Sequence, residues 1–209
     1  EWASREDGTE TRRPFIEISY RSPTVDVTLP VTGDTYIEAD NPTNNNGTSD
    51  PVQTRPQLAT QINRALFQFE TAALPTDATV VSATLNISSQ NTRSNHLANV
   101  RHATSRWTEG ANWNTTDGVT TWTTAGGDFA ASYGSLTPVG GDTFQQADVT
   151  ALIQGWADGT LAPYGVVLDP SGSDEGDAQW NSREDGTATR HAFIDVRYTA
   201  AGSTIERTS

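Results

Sequence analysis

Apolar and polar residues alternate in short runs along most of this chain, and clusters of Gly, Pro, Asn, Asp and Ser separate the runs. Alternation with period two marks a strand that buries one face. It is read at 24–29, 34–38, 65–70, 79–88, 98–103, 143–146 and 165–169. The Asn/Gly/Pro-rich stretch 40–51 is a loop, and the Gly/Ser/Thr-rich stretch 115–142 is a long connection with room for one strand. One segment breaks the rhythm: Val149, Leu152, Ile153 and Trp156 fall at i, i+3, i+4 and i+7. That spacing predicts a helix, with Asp148 as its N-cap and Gly159 just beyond its C-terminus. Many short strands and a single helix specify an all-β chain, a jelly-roll β-sandwich with one short helix near 148–158.

A repeat interrupts this picture. Residues 1–20 (EWASREDGTETRRPFIEISY) and 179–198 (QWNSREDGTATRHAFIDVRY) are identical at 12 of 20 positions, among them Trp2/Trp180, Arg5/Arg183, Glu6/Glu184, Phe15/Phe193 and Tyr20/Tyr198. Each copy reads as a Trp-led strand, an Glu-Asp-Gly-Thr hairpin turn and a second strand. Extended backbone places Arg183 and Glu184 on opposite faces, so each is expected to find its partner elsewhere. Strand residues Trp2, Phe15, Ile16, Ile18 and Tyr20 of the first copy need a sheet to join, which makes them candidate assembly residues. The expected organisation is 1–20 as the tail of an upstream repeat or a donor segment, and 21–32 as connecting strand. The sandwich follows at 33–198, with 199–209 as a tail or linker.

A set of landmarks supports a family resemblance. Asp34-Thr35-Tyr36-Ile37 precedes an Asn-Gly loop, and Arg64-Ala65-Leu66-Phe67-Gln68-Phe69 follows as a strand. Leu74-Pro75 stands ahead of 80–87; then come Trp107-Thr108-Glu109-Gly110 with Trp113, and Asp148-Val149-Thr150. Gly165-Val166-Val167-Leu168 and Trp180-Asn181-Ser182-Arg183-Glu184 close the series. In this order they resemble the DNRLRE-type domain, a jelly-roll module of bacterial and archaeal surface proteins related to some alginate-binding carbohydrate modules. The resemblance implies a binding or scaffolding module without catalysis, and it implies that Trp107 and Trp113 are structural. With the repeat, it leads to an extracellular structural module of a surface fibre, stalk or adhesin, built by strand exchange or tandem repetition. Its partners would be copies of itself or an adjacent repeat. The alternatives are a carbohydrate-binding module of a secreted polysaccharide-degrading enzyme, and a viral fibre or decoration protein.

Composition narrows the chemistry. The 26 acidic residues outnumber 13 basic ones, all Arg, for a net charge of −13. This balance disfavours nucleic acid, whose phosphates need a basic face. It fits a halophilic, archaeal, secreted protein, because high salt screens the self-repulsion of an acidic surface. No apolar run is long enough to span a membrane, and the absence of Cys removes disulfides and thiolate chemistry. The three histidines, His96, His102 and His191, are widely spaced, and no nucleophile elbow, zinc motif or P-loop is present. The expectation is therefore no enzyme, with His102 an ordinary strand residue.

Hard oxygen ligands cluster in Asp34, Glu38, Asp40 and Asp50, and again in Asp169, Asp174 and Asp177, so calcium is the one candidate cofactor. Trp122 and Tyr133 sit where a sugar-stacking platform would be built. Asn46, Asn86 and Asn114 each satisfy the N-glycosylation rule.

The charge balance carries its own expectation. The Debye length shrinks from about 10 Å at 0.1 M salt to about 3 Å at 1 M. The melting temperature should therefore climb as NaCl is raised over that interval. A flat or falling profile in calorimetry would contradict the halophilic reading.

Overall fold

The computed structural model describes residues 23–58, 61–92, 96–172 and 176–200, and Gly8. Ten strands and one helix run in the order β1 (Thr24–Glu38), β2 (Val52–Leu58), β3 (Gln61–Phe69), β4 (Thr79–Thr92), β5 (Leu97–Ala103), β6 (Phe129–Leu136), β7 (Thr143–Asp148), α1 (Thr150–Ala157), β8 (Val166–Ser171), β9 (Ala178–Trp180) and β10 (Phe193–Thr199). Every pairing is antiparallel. Without β2 and β9, the strands form two layers in the orders β1-β10-β4-β7 and β3-β8-β5-β6. Chain order hops between these layers, which is the jelly-roll arrangement.

Two strands bend across the layers and tie them together. The first half of β1, to Pro30, pairs with β10; from Val31 the same strand pairs with β3, after a register irregularity between Val31 and Gly33. The two strands expected at 24–29 and 34–38 are thus one bent strand. β2 likewise pairs with β9 at Val52–Thr54 and with β3 at Arg55 and Leu58. Its buried positions, Val52, Thr54 and Pro56, do alternate. Two of the three are not large apolar residues, so the alternation carried no hydrophobic signal. β6 is an edge strand, exposed over most of its length, and its Ala/Ser/Gly sequence shows no apolar face.

The main core lies between the layers, where Leu29, Phe67, Leu85, Ile87, Val100, Leu152, Ile153, Leu168, Trp180 and Ile194 are fully buried. α1 closes one end of it with Leu152, Ile153 and Trp156. Val149, not Asp148, is its N-cap. Asp148 still accepts the Thr150 N–H at 2.8 Å, and Gly159 adopts φ +71° after the helix. The helix starts two residues after the expected cap because Asp148 is the last residue of β7, held on Thr84 of β4.

A second core lies on the outer face of the second layer: Ile37, Leu66, Trp107, Ala111, Trp122 and Val167, with Trp113, Phe129 and Tyr164 packed against it. In β3 and β8 neighbouring residues serve opposite cores, Phe67 against Leu66 and Leu168 against Val167. This is why these strands read as nearly continuous apolar runs. The cover is the loop 104–128, which backbone turn bonds and side chains hold together without a regular ladder. Asn112 Oδ1 accepts the N–H groups of Asn114 and Thr115, and Asp128 those of Thr123 and Thr124, all at 2.9 Å. Arg64 pins the cover, donating to Gly126 O at 2.8 Å and stacking over Trp113 and Phe129.

The expected hairpin at 179–198 does not form. β9 lies between β2 and β4, whereas β10 lies between β4 and β1. The intervening 181–192 is far longer than a hairpin loop and holds a turn and one 3-10 turn (Ala188–Arg190). Within that turn the backbone is not extended, so Arg183 Nη2 reaches Glu184 Oε1 at 3.1 Å, against the expectation that the two face apart.

Trp122 is 5% exposed, and its indole N–H donates to Asn112 O at 2.8 Å. Trp122→Ala should therefore lower stability by about 3–5 kcal/mol, as for other buried Trp truncations. Denaturant midpoints would register this; an unchanged midpoint would mean that the cover loop carries no stability.

Candidate functional site

β9 delivers Trp180 into the core, where its indole N–H donates to Thr54 Oγ1 at 2.9 Å. The chain then turns. Asn181 N–H donates to Ser88 O at 2.9 Å, Glu184 N–H to Ser182 Oγ at 3.1 Å, and Ser182 Oγ to Asp50 Oδ1 at 3.2 Å. This turn presents the Arg183 N–H to Asp34 Oδ2 at 2.7 Å. Asp34 lies on β1 just past its bend, opposite the core residue Phe67, and is 1% exposed.

Glu109 closes the arrangement from the cover loop. Its Oε1 accepts Arg183 Nη2 at 2.6 Å and, weakly, Asp34 N–H at 3.4 Å. Its backbone carbonyl accepts Asn45 Nδ2 at 2.6 Å. Gly47 packs on the same carbonyl so closely that a Cβ would stand 2.1 Å from the oxygen, so only glycine fits there. Loops from three distant parts of the chain thus meet at one buried carboxylate. Burial pushes the Asp34 carboxyl up to about 7; the Arg183 N–H opposes that rise, while the Glu184 and Glu109 charges add to it. Asp34 Oδ1 and Glu184 Oε2 are both buried without a hydrogen-bond partner.

Beside this network opens a cleft of about 520 Å³, lined by Thr32 and Gly33 of β1, Gln68 and Phe69 of β3, residues 106–109, Pro163 and Tyr164. Its floor is fixed: Gln68 Nε2 donates to Trp107 O, and the Trp107 indole to Tyr164 O, both at 2.8 Å. Arg106 is exposed at the rim and has no ion-pair partner among the described residues. The cleft is within the size range of ligand sites. It offers a guanidinium, a carboxylate, an amide, hydroxyls and a phenol ring, which suits a polyhydroxylated ligand.

The residues singled out from the sequence are scattered more widely. Asp34 and Asp50 come together around the turn. Glu38 instead accepts Asn44 Nδ2 at 3.0 Å, and Asp40 lies exposed. Asp169 is taken by two arginines, Arg64 and Arg101, each at 2.8 Å, and Asp177 accepts Gln179 Nε2 at 3.4 Å. Asp174 lies outside the described residues, as do Trp2, Phe15, Ile16, Ile18 and Tyr20. Among the described residues no three His, Cys, Asp or Glu side chains group as a metal site. A cation could be held only by fewer carboxylates with neutral oxygens.

Trp122 presents no free ring face, since it is core. Tyr133 is half-buried in a shallow groove beside Thr150 and Gln154. Asn46 and Asn86 are buried, with their amides donating to Tyr36 O and Thr84 O, whereas Asn114 is exposed. His102 is a buried β5 residue with Nε2 on Ala162 O at 2.8 Å.

Sequence reasoning missed Arg106 and Tyr164, and it treated Gln68 and Glu109 only as landmarks. It also missed a second surface, where Phe144 and Phe193 meet edge to face at 5.4 Å on the outer side of the first layer. Beside them Gln146 Nε2 donates to Asn86 Oδ1 at 2.7 Å. Two Phe standing on polar strands give no warning that they will pair.

Residues 25–195 match the sequence profile of carbohydrate-binding module family 96, from the second residue of β1 to the third of β10. The match carries the carbohydrate-binding side of the expected resemblance and lends none to the DNRLRE designation itself. No curated protein matches the chain. Among the described residues no helix is long and apolar enough to cross a membrane.

The raised Asp34 carboxyl has a pH signature. Unfolded, the group ionises near 3.8; folded, only near 7. Between these values the folded state holds the extra proton, so the contribution of Asp34 to stability is greatest below about 4 and falls as pH rises to about 7. In chelator-treated protein, Asp34→Asn should remove that decline. Urea midpoints across this interval test it, and parallel slopes for the two proteins would refute it.

Proposed function

Because the chain belongs to carbohydrate-binding module family 96, we propose that it is a non-catalytic polysaccharide-binding module whose ligand lies in the cleft of Arg106, Glu109, Gln68 and Tyr164. The family match carries this reading, and the chemistry of the cleft supports it. Arg106 and Glu109 can bracket neighbouring sugar hydroxyls with charge-assisted bonds, and Tyr164 adds a partly buried aromatic side chain to the lining of the same cleft. Ligands of this kind put its site of action outside the cell, on a surface or attached to a polysaccharide-degrading enzyme. A fibre, stalk or adhesin role, like a viral one, would rest on residues 1–20, which the family match does not cover; binding is therefore the preferred reading. A halophilic archaeal source is supported by composition alone.

Affinity electrophoresis or calorimetry against neutral and uronate-bearing polysaccharides tests the proposal. Arg106→Ala should weaken binding of a retained polysaccharide about tenfold or more, the value of one hydrogen bond to a charged group. Thermal stability should be unaffected. Binding that survives Arg106→Ala and Tyr164→Ala but disappears in Phe144→Ala or Phe193→Ala would move the site to the outer face of the first layer. Retention of no polysaccharide at all would sink the reading.

A further inference from the structure

We propose that Asp34 and Glu184 hold a calcium ion through their two unpartnered oxygens, Asp34 Oδ1 and Glu184 Oε2, behind the wall that Gly33 and Glu109 give the cleft. Each carboxylate already has one oxygen committed to the same residue. Asp34 Oδ2 accepts the Arg183 backbone N–H at 2.7 Å, and Glu184 Oε1 pairs with the Arg183 guanidinium at 3.1 Å. The second oxygen of each is buried and has no partner. Asp34 is 1% exposed. A third unpartnered acceptor, Asn181 Oδ1, belongs to the same turn, on a side chain with no exposure at all.

Charge points the same way. When ionised, Asp34, Glu109 and Glu184 face one guanidinium, that of Arg183, which is itself exposed and bound to Glu109 at 2.6 Å. Burial is the main reason Asp34 resists ionisation, and the neighbouring Glu184 and Glu109 carboxylates add to it. The donors are all oxygen, which selects a hard cation. Calcium accepts irregular coordination completed by backbone carbonyls and water, whereas magnesium demands a regular octahedron. Because Asp34 follows Gly33 and contacts Glu109, an ion here would stiffen one wall of the cleft.

The experiment needs no polysaccharide, so its outcome is independent of the binding proposal. Full-length chain stripped with EDTA is melted in fixed high NaCl with added CaCl2 or MgCl2. At a hundredfold excess over Kd, calcium should raise the melting temperature by about 5 °C or more, and magnesium should do far less. Glu184→Gln should move the calcium midpoint at least tenfold higher, whereas Asp117→Asn, at an exposed turn, should leave it in place. Terbium luminescence excited through tryptophan, displaced by calcium in the unaltered chain, keeps the test alive if the variant does not fold. Equal responses to both cations, no calcium response, or an unchanged midpoint in a folded Glu184→Gln would overturn the proposal.

Discussion

The contact between the Arg183 N–H and the buried Asp34 carboxylate is what the rest of this end of the molecule depends on. A carboxylate excluded from water must be compensated by donors or charge, or it takes up a proton. The Asp34 carboxylate has one backbone donor, the Arg183 N–H on Oδ2, so compensation is incomplete. Everything nearby follows from that shortfall. The chain after β9 leaves extended geometry to bring an N–H inward, Arg183 folds over Glu109 and Glu184, and the 41–50 loop packs glycine-close on Glu109. The bend in β1 places Asp34 there, and the same bend ties the two layers.

The cleft inherits its shape from this constraint and from the second core. One wall carries Gly33 and Glu109, which belong to the carboxylate network. The floor carries Trp107, which belongs to the apolar cover on β3 and β8. Rigid packing on one side and a charged network on the other leave Arg106 at the rim without an ion-pair partner among the described residues. A binding surface built this way keeps its polar groups oriented before ligand arrives, which spares the entropy of ordering them. The acidic surface works at longer range, and its repulsion is governed by salt rather than by any single contact.

Sequence alone determined the class of fold. Alternation in β1, β4, β5 and β10 and the i, i+3, i+4, i+7 spacing of α1 are local consequences of burying one face, so they can be read without knowing any neighbour. Sequence also marked Asp34 and the Trp180–Glu184 segment as significant, and it exposed the duplication of 179–198 at the N-terminus. It misread the joining geometry there, because the Glu-Asp-Gly-Thr stretch looks the same in a tight hairpin as in a long loop.

Only the tertiary structure decided what each acidic residue does. Asp169 and Asp34 are equivalent in composition, yet two arginines neutralise the first while the second is left with an orphan oxygen, because strand pairing brings Arg64 and Arg101 to one and a backbone turn to the other. Trp122 and Trp107 became core because a loop rich in Asn, Asp and Thr folds back over an outer sheet face, held by backbone turn bonds and side-chain bonds that have no periodicity. Arg106 and Glu109, Gln68 and Tyr164 come from three separate segments, and no spacing along the chain foretells that these segments share a cleft. Local patterning encodes which face is buried; the partners of a charge are set by long-range register, which only the folded chain defines.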